Sequence, residues 1–193
     1  MEIGCIVMAA GNGSRFGGNK LAARLGGESL IGRALRAVPR DTFKTVTVVT
    51  QYPDIGRLAR AQGFTAAVNT APELGLSHTV ALGLQTMTGM DAVLFQVADQ
   101  PLLQPESVAE LVAFYRRHPD HIAALGHGGV RGNPCIFPAA FFPELLALQG
   151  DHGGSTVIRR HPDRLLLWEV PLRELTDVDT PDTLAALQKD AEQ

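Results

Sequence analysis

"IGCIVMAAGNGSRFGGNK", residues 3–20, joins an apolar run to a glycine-rich loop and ends on a lysine. The run from Ile3 to Val7 is apolar and rich in β-branched residues, as a strand covered on both faces has to be. Gly11, Gly13, Gly17 and Gly18 then leave the chain nearly bare of side chains, and Arg15 and Lys20 add two positive charges. Backbone amides freed in this way can form a nest around an anion. Arginine forks two hydrogen bonds onto a phosphate, while lysine acts as a point charge. The stretch therefore predicts a strand that opens into a phosphate cradle.

Two well-known cradles do not fit. A dinucleotide fingerprint requires a third glycine where this chain has Phe16. A P-loop requires lysine right after its last glycine, but Asn19 follows Gly18, Lys20 comes one position late, and Leu21 offers no hydroxyl to magnesium. On the loop alone, a solvated turn carrying two cations stays open as the alternative.

Working outward, the same alternation recurs. "TVTVVT" (45–50), "AVLFQVA" (92–98), "IAALG" (122–126) and "LLLWEV" (165–170) read as strands. Helices are predicted from Ser29, a good N-cap, to just before Pro39, from Pro53 to Gly63, from Pro105 over "PESVAELVAFYRRH", and from Pro181 onward. Strands alternating with helices predict an α/β fold: a Rossmann-like three-layer α/β/α sandwich with a mostly parallel central sheet. No linker, repeat or low-complexity tract interrupts residues 1–193, so one domain is expected. Ligands of such sheets sit beyond the carboxyl ends of the strands, which points to the loops 8–20, 69–78, 98–104 and 171–181.

Composition removes several classes of function. The chain has 193 residues and a net charge of −3, without a dense Lys/Arg run, so nucleic acid and anionic membrane are not expected partners. Its only cysteines, Cys5 and Cys135, lie in apolar runs and read as small buried side chains rather than a disulfide. The first residues lack the basic region of a signal peptide, and the apolar stretch is too short to span a bilayer. A cytoplasmic protein is expected. The histidines show no metal-binding spacing.

Two acidic segments stand where the crevice should be. In "VADQPLL" (97–103), Asp99 follows a strand, where a carboxylate can hold Mg²⁺ or simply form a turn. In "DVDTPDTL" (177–184), Asp179 or Thr180 can cap the last helix ahead of Pro181. Asp177 and Asp179 are two residues apart, so on an extended segment they point the same way.

With these residues in hand, the loop resembles the signature of the MobA-like nucleotidyltransferases, roughly A-A-G-x-G-x-R-x-G-x-x-K. Ala9, Ala10, Gly11, Gly13, Arg15, Gly17 and Lys20 match it, and Phe16 departs from a common Met. Ala10-Gly11, in place of Gly-Gly, and "DQP", in place of D-M-P, are closest to the molybdenum cofactor cytidylyltransferase (MocA-like) branch. "DVDTP" is similar to the family's D-x-D-T-P. "GLSHT" (75–79) is similar to G-x-S-x-S, with Thr79 keeping the second hydroxyl. "GNPCIF" and "GDHGGS" are similar to segments that surround the acceptor, with Ser155 standing where relatives often have Arg.

The resemblance implies a nucleotide-diphospho-sugar transferase type of fold and transfer of CMP from CTP to the phosphate of molybdopterin, releasing pyrophosphate. It implies nucleotide contacts at Ala9, Ala10, Gly11, Gly13, Arg15, Lys20, Gly75, Ser77 and Asp99. Lys20, Arg15 and Asp99 become the catalytic candidates. Metal ligation falls to Asp99 with Asp177 or Asp179, for Mg²⁺ or alternatively Mn²⁺. Acceptor contacts fall to Arg131, Asn133 and Asp151. The implied partners are the small-molecule substrates and a molybdoenzyme or its chaperone. Three alternatives remain at this point: GTP as donor, a sugar or alcohol phosphate as acceptor, and a non-catalytic nucleotide-binding insertion chaperone. An NAD-dependent oxidoreductase is disfavoured, because Gln51 stands where a ribose-binding acid should follow the second strand.

Overall fold

The computed structural model describes residues 1–11, 13, 16 and 18–191, with the side chains of Asp190 and Ala191 also outside the description. Arg15 and Gly17, both drawn into the sequence reading, lie outside the described residues.

The central sheet has seven strands: β1 (Ile3–Ala9), β4 (Thr45–Thr50), β5 (Thr65–Val68), β6 (Ala92–Val97), β7 (Ile122–His127), β8 (Val130–Pro138) and β9 (Leu165–Glu169). A two-stranded ribbon of β2 (Arg24–Leu25) and β3 (Glu28–Ser29) lies outside it. The order across the sheet is β5-β4-β1-β6-β8-β7-β9. Pairs β1–β4, β1–β6, β4–β5 and β7–β9 are parallel, and only β8 runs against its two neighbours. The expected mostly parallel sheet is therefore observed.

The helices are α1 (Leu30–Arg36), α2 (Pro53–Ala61), α3 (Leu76–Gln85), α4 (Pro105–Arg116), α5 (Phe142–Leu146), α6 (Gly154–Arg160) and α7 (Pro181–Ala191). Alternation along the strands divides the apolar residues between two cores. Cys5 and Val7 of β1 face α1, α2 and α4 in a cluster with Ile31, Ala59 and Leu111. Ile6 of the same strand faces α3, α5 and α6 in a cluster with Val80, Leu145 and Val157. Helices thus cover both faces, which completes the three layers. Burial pushes the thiols of Cys5 and Cys135 up from their ordinary range, and both cysteines are free.

Sequence reading missed β5 and β8. The first is a four-residue strand at the sheet edge, too short to show a period. The second, "VRGNPCIFP", contains Gly132 and Pro134, which read as a loop. Its register against β7 passes from Ala124↔Cys135 to Gly126↔Arg131 through an irregularity, and Pro134 lies in that interval. A bulge leaves ladder positions unpaired, so a residue without an N–H fits inside a central strand. Because β8 runs antiparallel, its first residues come to the edge where the parallel strands end. Arg131 and Asn133 are carried there.

Candidate active site

One cleft of about 320 Å³ lies at the carboxyl edge of the sheet. Ala10, Gly11, Gly13 and Lys20 line it from the first loop, Gly75 from the second, Asp99 from the third and Asp179 from the fourth. These four segments are the loops that follow β1, β5, β6 and β9. Asp151 joins them from the turn before α6. Ala9 ends β1 and is buried behind the cleft rather than lining it.

The first loop is folded back on itself. Gly13 has φ +56°, and a Cβ there would stand 2.3 Å from the Gly18 carbonyl oxygen, so only glycine fits. Its carbonyl accepts the Phe16 N–H at 2.8 Å. At the loop's end, Asn19 Oδ1 accepts the Leu21 N–H at 3.1 Å and caps the 3₁₀ turn Lys20–Ala22. Leu21 is buried, which anchors the turn beneath Lys20. At the loop's start, Gln51 Nε2 donates to the Ala10 carbonyl at 2.7 Å and the Tyr52 hydroxyl donates to the Gly11 carbonyl at 2.9 Å. Gln51, which failed as a ribose-binding acid, thus helps shape the glycine-rich loop. Nothing in the sequence signalled this, because the contact is between two strand ends.

Lys20 is the centre of the site. Its Nζ donates to Asp99 Oδ2 at 2.7 Å and to Asp179 Oδ1 at 2.9 Å. The lysine side chain is 13% exposed and the two carboxylates are 22% and 44% exposed. Burial pulls the ammonium pKa down, but the hydrogen bonds and charges of Asp179 and Asp99 together outweigh it and hold it above the ordinary value. The lysine therefore stays cationic throughout the neutral range.

The two acidic segments are locked together by the backbone. Val178 N–H donates to the Asp99 carbonyl at 2.8 Å. Val178 is fully buried against Leu25 and Leu30, so the extended alternation turns Asp177 and Asp179 the other way. Thr180 caps α7, its Oγ1 accepting the Thr183 N–H at 3.2 Å, which relieves Asp179 of that duty. Asp177 sits beside the lysine-centred pair. Burial and the neighbouring charges of Asp99 and Asp179 raise its pKa, against an opposing hydrogen bond from Gln100.

Two carboxylates converging on one cation offer the hard oxygen donors that Mg²⁺ or Mn²⁺ requires, and Mg²⁺ is commonly held by one or two carboxylates plus substrate phosphates. Among the described residues, no three His, Cys, Asp or Glu side chains form a preformed metal cluster. Asp99 and Asp179 fit a metal that arrives with a phosphate. Asp177 is not at the lysine contact.

The second loop fits against the turn before α6. Gly75 has φ +87°, and a Cβ there would lie 2.4 Å from Gly150 C and 2.7 Å from Asp151 Oδ1. Ser77 donates its N–H to the Gly150 carbonyl at 3.0 Å and is buried. Thr79 lines the cleft, its Oγ1 accepting from Asn69 Nδ2 at 3.1 Å.

Beyond Met8, Leu76 and Val97 the cleft continues into an inner pocket of about 100 Å³. Val80, Phe95, Phe137 and Leu145 wall it, and Arg131, Asn133, Cys135 and Ser155 are its polar residues. Arg131 is held by Ser155 Oγ at 3.0 Å, the Gly132 carbonyl at 3.1 Å and Cys135 Sγ at 3.4 Å. Of the three acceptor candidates, Arg131 and Asn133 lie in this inner pocket and Asp151 lies in the outer cleft.

Residues 5–165 match the model of the MobA-like NTP transferase domain. The chain belongs to this family. Its resemblance to PucB, a purine catabolism protein of Bacillus subtilis strain 168, runs at 29% identity over 190 residues, 92% of this chain and 91% of that one. The 2-C-methyl-D-erythritol 4-phosphate cytidylyltransferase of Geobacillus kaustophilus is 35% identical over 119 residues, 58% of this chain and 52% of the relative. In fold, the chain matches Rv0371c of Mycobacterium tuberculosis H37Rv with a TM-score of 0.81 at 24% identity, covering 98% of both chains. The same protein in complex with manganese matches with a TM-score of 0.76 at 22% identity, over 98% of this chain and 99% of that one. A MobA-like NTP transferase domain and a nucleotide-diphospho-sugar transferase type of fold are the expectations that the residues of the first loop raised, and both are met. No described helix of this family member is long and apolar enough to cross a membrane.

Proposed function

We propose that this chain transfers CMP from CTP to the terminal phosphate of a molybdopterin-type acceptor. The observation that carries the reading is Lys20 bridging Asp99 and Asp179 at the mouth of the glycine-loop cleft. That juxtaposition brings the phosphate cradle and the acidic pair into one site, as displacement at phosphorus requires. The likeness to a cytidylyltransferase supports the choice of nucleotide. The near full-length likeness to PucB, a purine catabolism protein, is compatible with a role in purine breakdown.

An oxygen of the acceptor phosphate attacks the α-phosphorus, and the bond from that phosphorus to the bridging oxygen breaks. Pyrophosphate leaves with the electron pair. The acceptor phosphate is already anionic at neutral pH, so no general base is needed. Loop amides of Ala10, Gly11 and Gly13, with Lys20 and Arg15, bind the triphosphate and stabilise the leaving charge. Gly75 and Ser77 bring the α3 N-terminus to the nucleotide. Asp99 and Asp179 would hold the divalent ion, with Asp177 as a nearby acid. Bound Mg²⁺, or Mn²⁺ as in the Rv0371c complex, supplies neutralisation of phosphate charge. Arg131, Asn133 and Asp151 contact the acceptor, Arg131 offering its guanidinium to an anionic group.

A nucleotide panel tests the reading. Pyrophosphate release should require CTP, Mg²⁺ and molybdopterin cofactor together. Asp99→Asn should cut turnover by about 100-fold or more while the thermal melt stays cooperative. GTP preference would overturn the choice of nucleotide, and no release with any pair would overturn transfer itself. An alcohol phosphate acceptor is the second reading, favoured by the chemistry of the Geobacillus relative. It predicts release with a sugar-alcohol phosphate and none with molybdopterin.

A further inference from the structure

We infer that Lys20 is the resident counter-ion of the Asp99–Asp179 pair and keeps divalent metal affinity low until the nucleotide arrives. The ammonium lies 2.7 Å from Asp99 Oδ2 and 2.9 Å from Asp179 Oδ1, both charge-assisted hydrogen bonds of full strength. It is also the more enclosed partner, at 13% exposure. A divalent ion that took these same oxygens would displace the lysine from both. It would then leave a largely enclosed, half-buried ammonium without these two partners, which is costly. The acids cannot easily separate to serve lysine and metal apart, because the Val178 N–H bond to the Asp99 carbonyl fixes the two segments to each other.

A triphosphate removes this obstacle. Lys20 and Gly13 line the same cleft, so a phosphate seated on the glycine loop lies within the lysine's reach. Phosphate oxygens offer the ammonium a new partner, and the two carboxylate oxygens it held become open to a cation. The metal then enters with the nucleotide and not before it. In the nucleotide-free protein the lysine does the neutralising work instead. This rests on the proposed function only in taking Asp99 and Asp179 as the metal pair.

Titration of Mn²⁺ into the full nucleotide-free chain, by calorimetry, reads the competition without any turnover. Lys20→Met should bind Mn²⁺ about tenfold or more tighter than wild type. Asp99→Asn added to Lys20→Met should abolish the gain. A thermal melt checks the fold and gives a second readout. Mn²⁺ should raise the Tm of Lys20→Met, or of Lys20→Gln should the first variant be unstable, and leave wild type unmoved. Equal Mn²⁺ affinity in wild type and both lysine variants would overturn the inference, as the metal would then use other oxygens. Failure of both folded variants to bind Mn²⁺ would overturn it too. Failure of nucleotidyl transfer with every acceptor would instead sink the proposed function and leave this titration readable.

Discussion

Val178 donates its backbone N–H to the carbonyl of Asp99 at 2.8 Å, and this one bond joins the last loop of the chain to the end of β6. The side chain of Val178 is fully buried against Leu25 and Leu30. Val178 therefore aims Asp179 at Lys20 without lining the cleft itself. Val178→Ala should cost about 2 kcal/mol in a urea melt, from two lost methyl groups and the space they leave. Turnover should fall as well, because the extended segment carrying Asp179 loses its anchor. A stability unchanged from wild type would refute the anchoring role.

Gly75 meets the backbone of Gly150 so closely that a Cβ would stand 2.4 Å from the carbonyl carbon. Its φ of +87° adds a second penalty for any side chain. Gly75→Ala should destabilise the fold by about 2 kcal/mol or more and move the start of α3 away from the turn before α6. Nucleotide KM should rise with it. Thermal melts and steady-state rates measure the two effects.

Ser155 accepts a hydrogen bond from Arg131 Nη2 at 3.0 Å in the inner pocket. Removing one of the arginine's three contacts loosens it while leaving it in place. Ser155→Ala should raise the acceptor KM about fivefold, worth about 1 kcal/mol, and leave the nucleotide KM unchanged. A change confined to the nucleotide KM would show that Arg131 does not serve the acceptor.

Tyr115, near the end of α4, is buried and its hydroxyl donates to the Pro119 carbonyl at 3.0 Å. Burial first, then the charges of Asp91 and Asp120, push its pKa up to about 12. The unfolded phenol ionises near pH 10. Between these values the folded chain binds one proton more than the unfolded chain, so stability is intact below about pH 10 and falls as pH rises towards 12. The loss amounts to about 3 kcal/mol across that window. Tyr115→Phe should be less stable at neutral pH by about 1 kcal/mol and show a flatter decline between pH 10 and 12 in urea melts.

Much of the site could be read from residue order, because its chemistry is concentrated in short segments. Residues 9–20 carry the glycines and the late lysine together, and Asp99 directly follows an unmistakable strand. Other parts were hidden because they join distant segments. Gln51 and Tyr52 hold the Ala10 and Gly11 carbonyls across neighbouring strand ends. Between Asp177 and Asp179 the choice rests on Lys20, which bonds Asp179 together with Asp99 and leaves Asp177 aside. Strand β8 was hidden for a different reason. Its Gly132 and Pro134 carry loop propensity, and only the irregular register against β7 makes room for them.

The sequence by itself determined the alternation of strands and helices, the glycine loop that needs its bare backbone, and the acids at the strand ends. Local sterics and hydrophobic periodicity act over a few residues, so they are legible in a line of letters. The tertiary structure alone decided which acid faces the lysine, which strand runs backwards to bring Arg131 and Asn133 to the crevice, and which carbonyls shape the cradle. Each of those depends on a hydrogen bond or a packed side chain from a distant part of the chain. Such contacts exist only once the two cores have closed around the sheet.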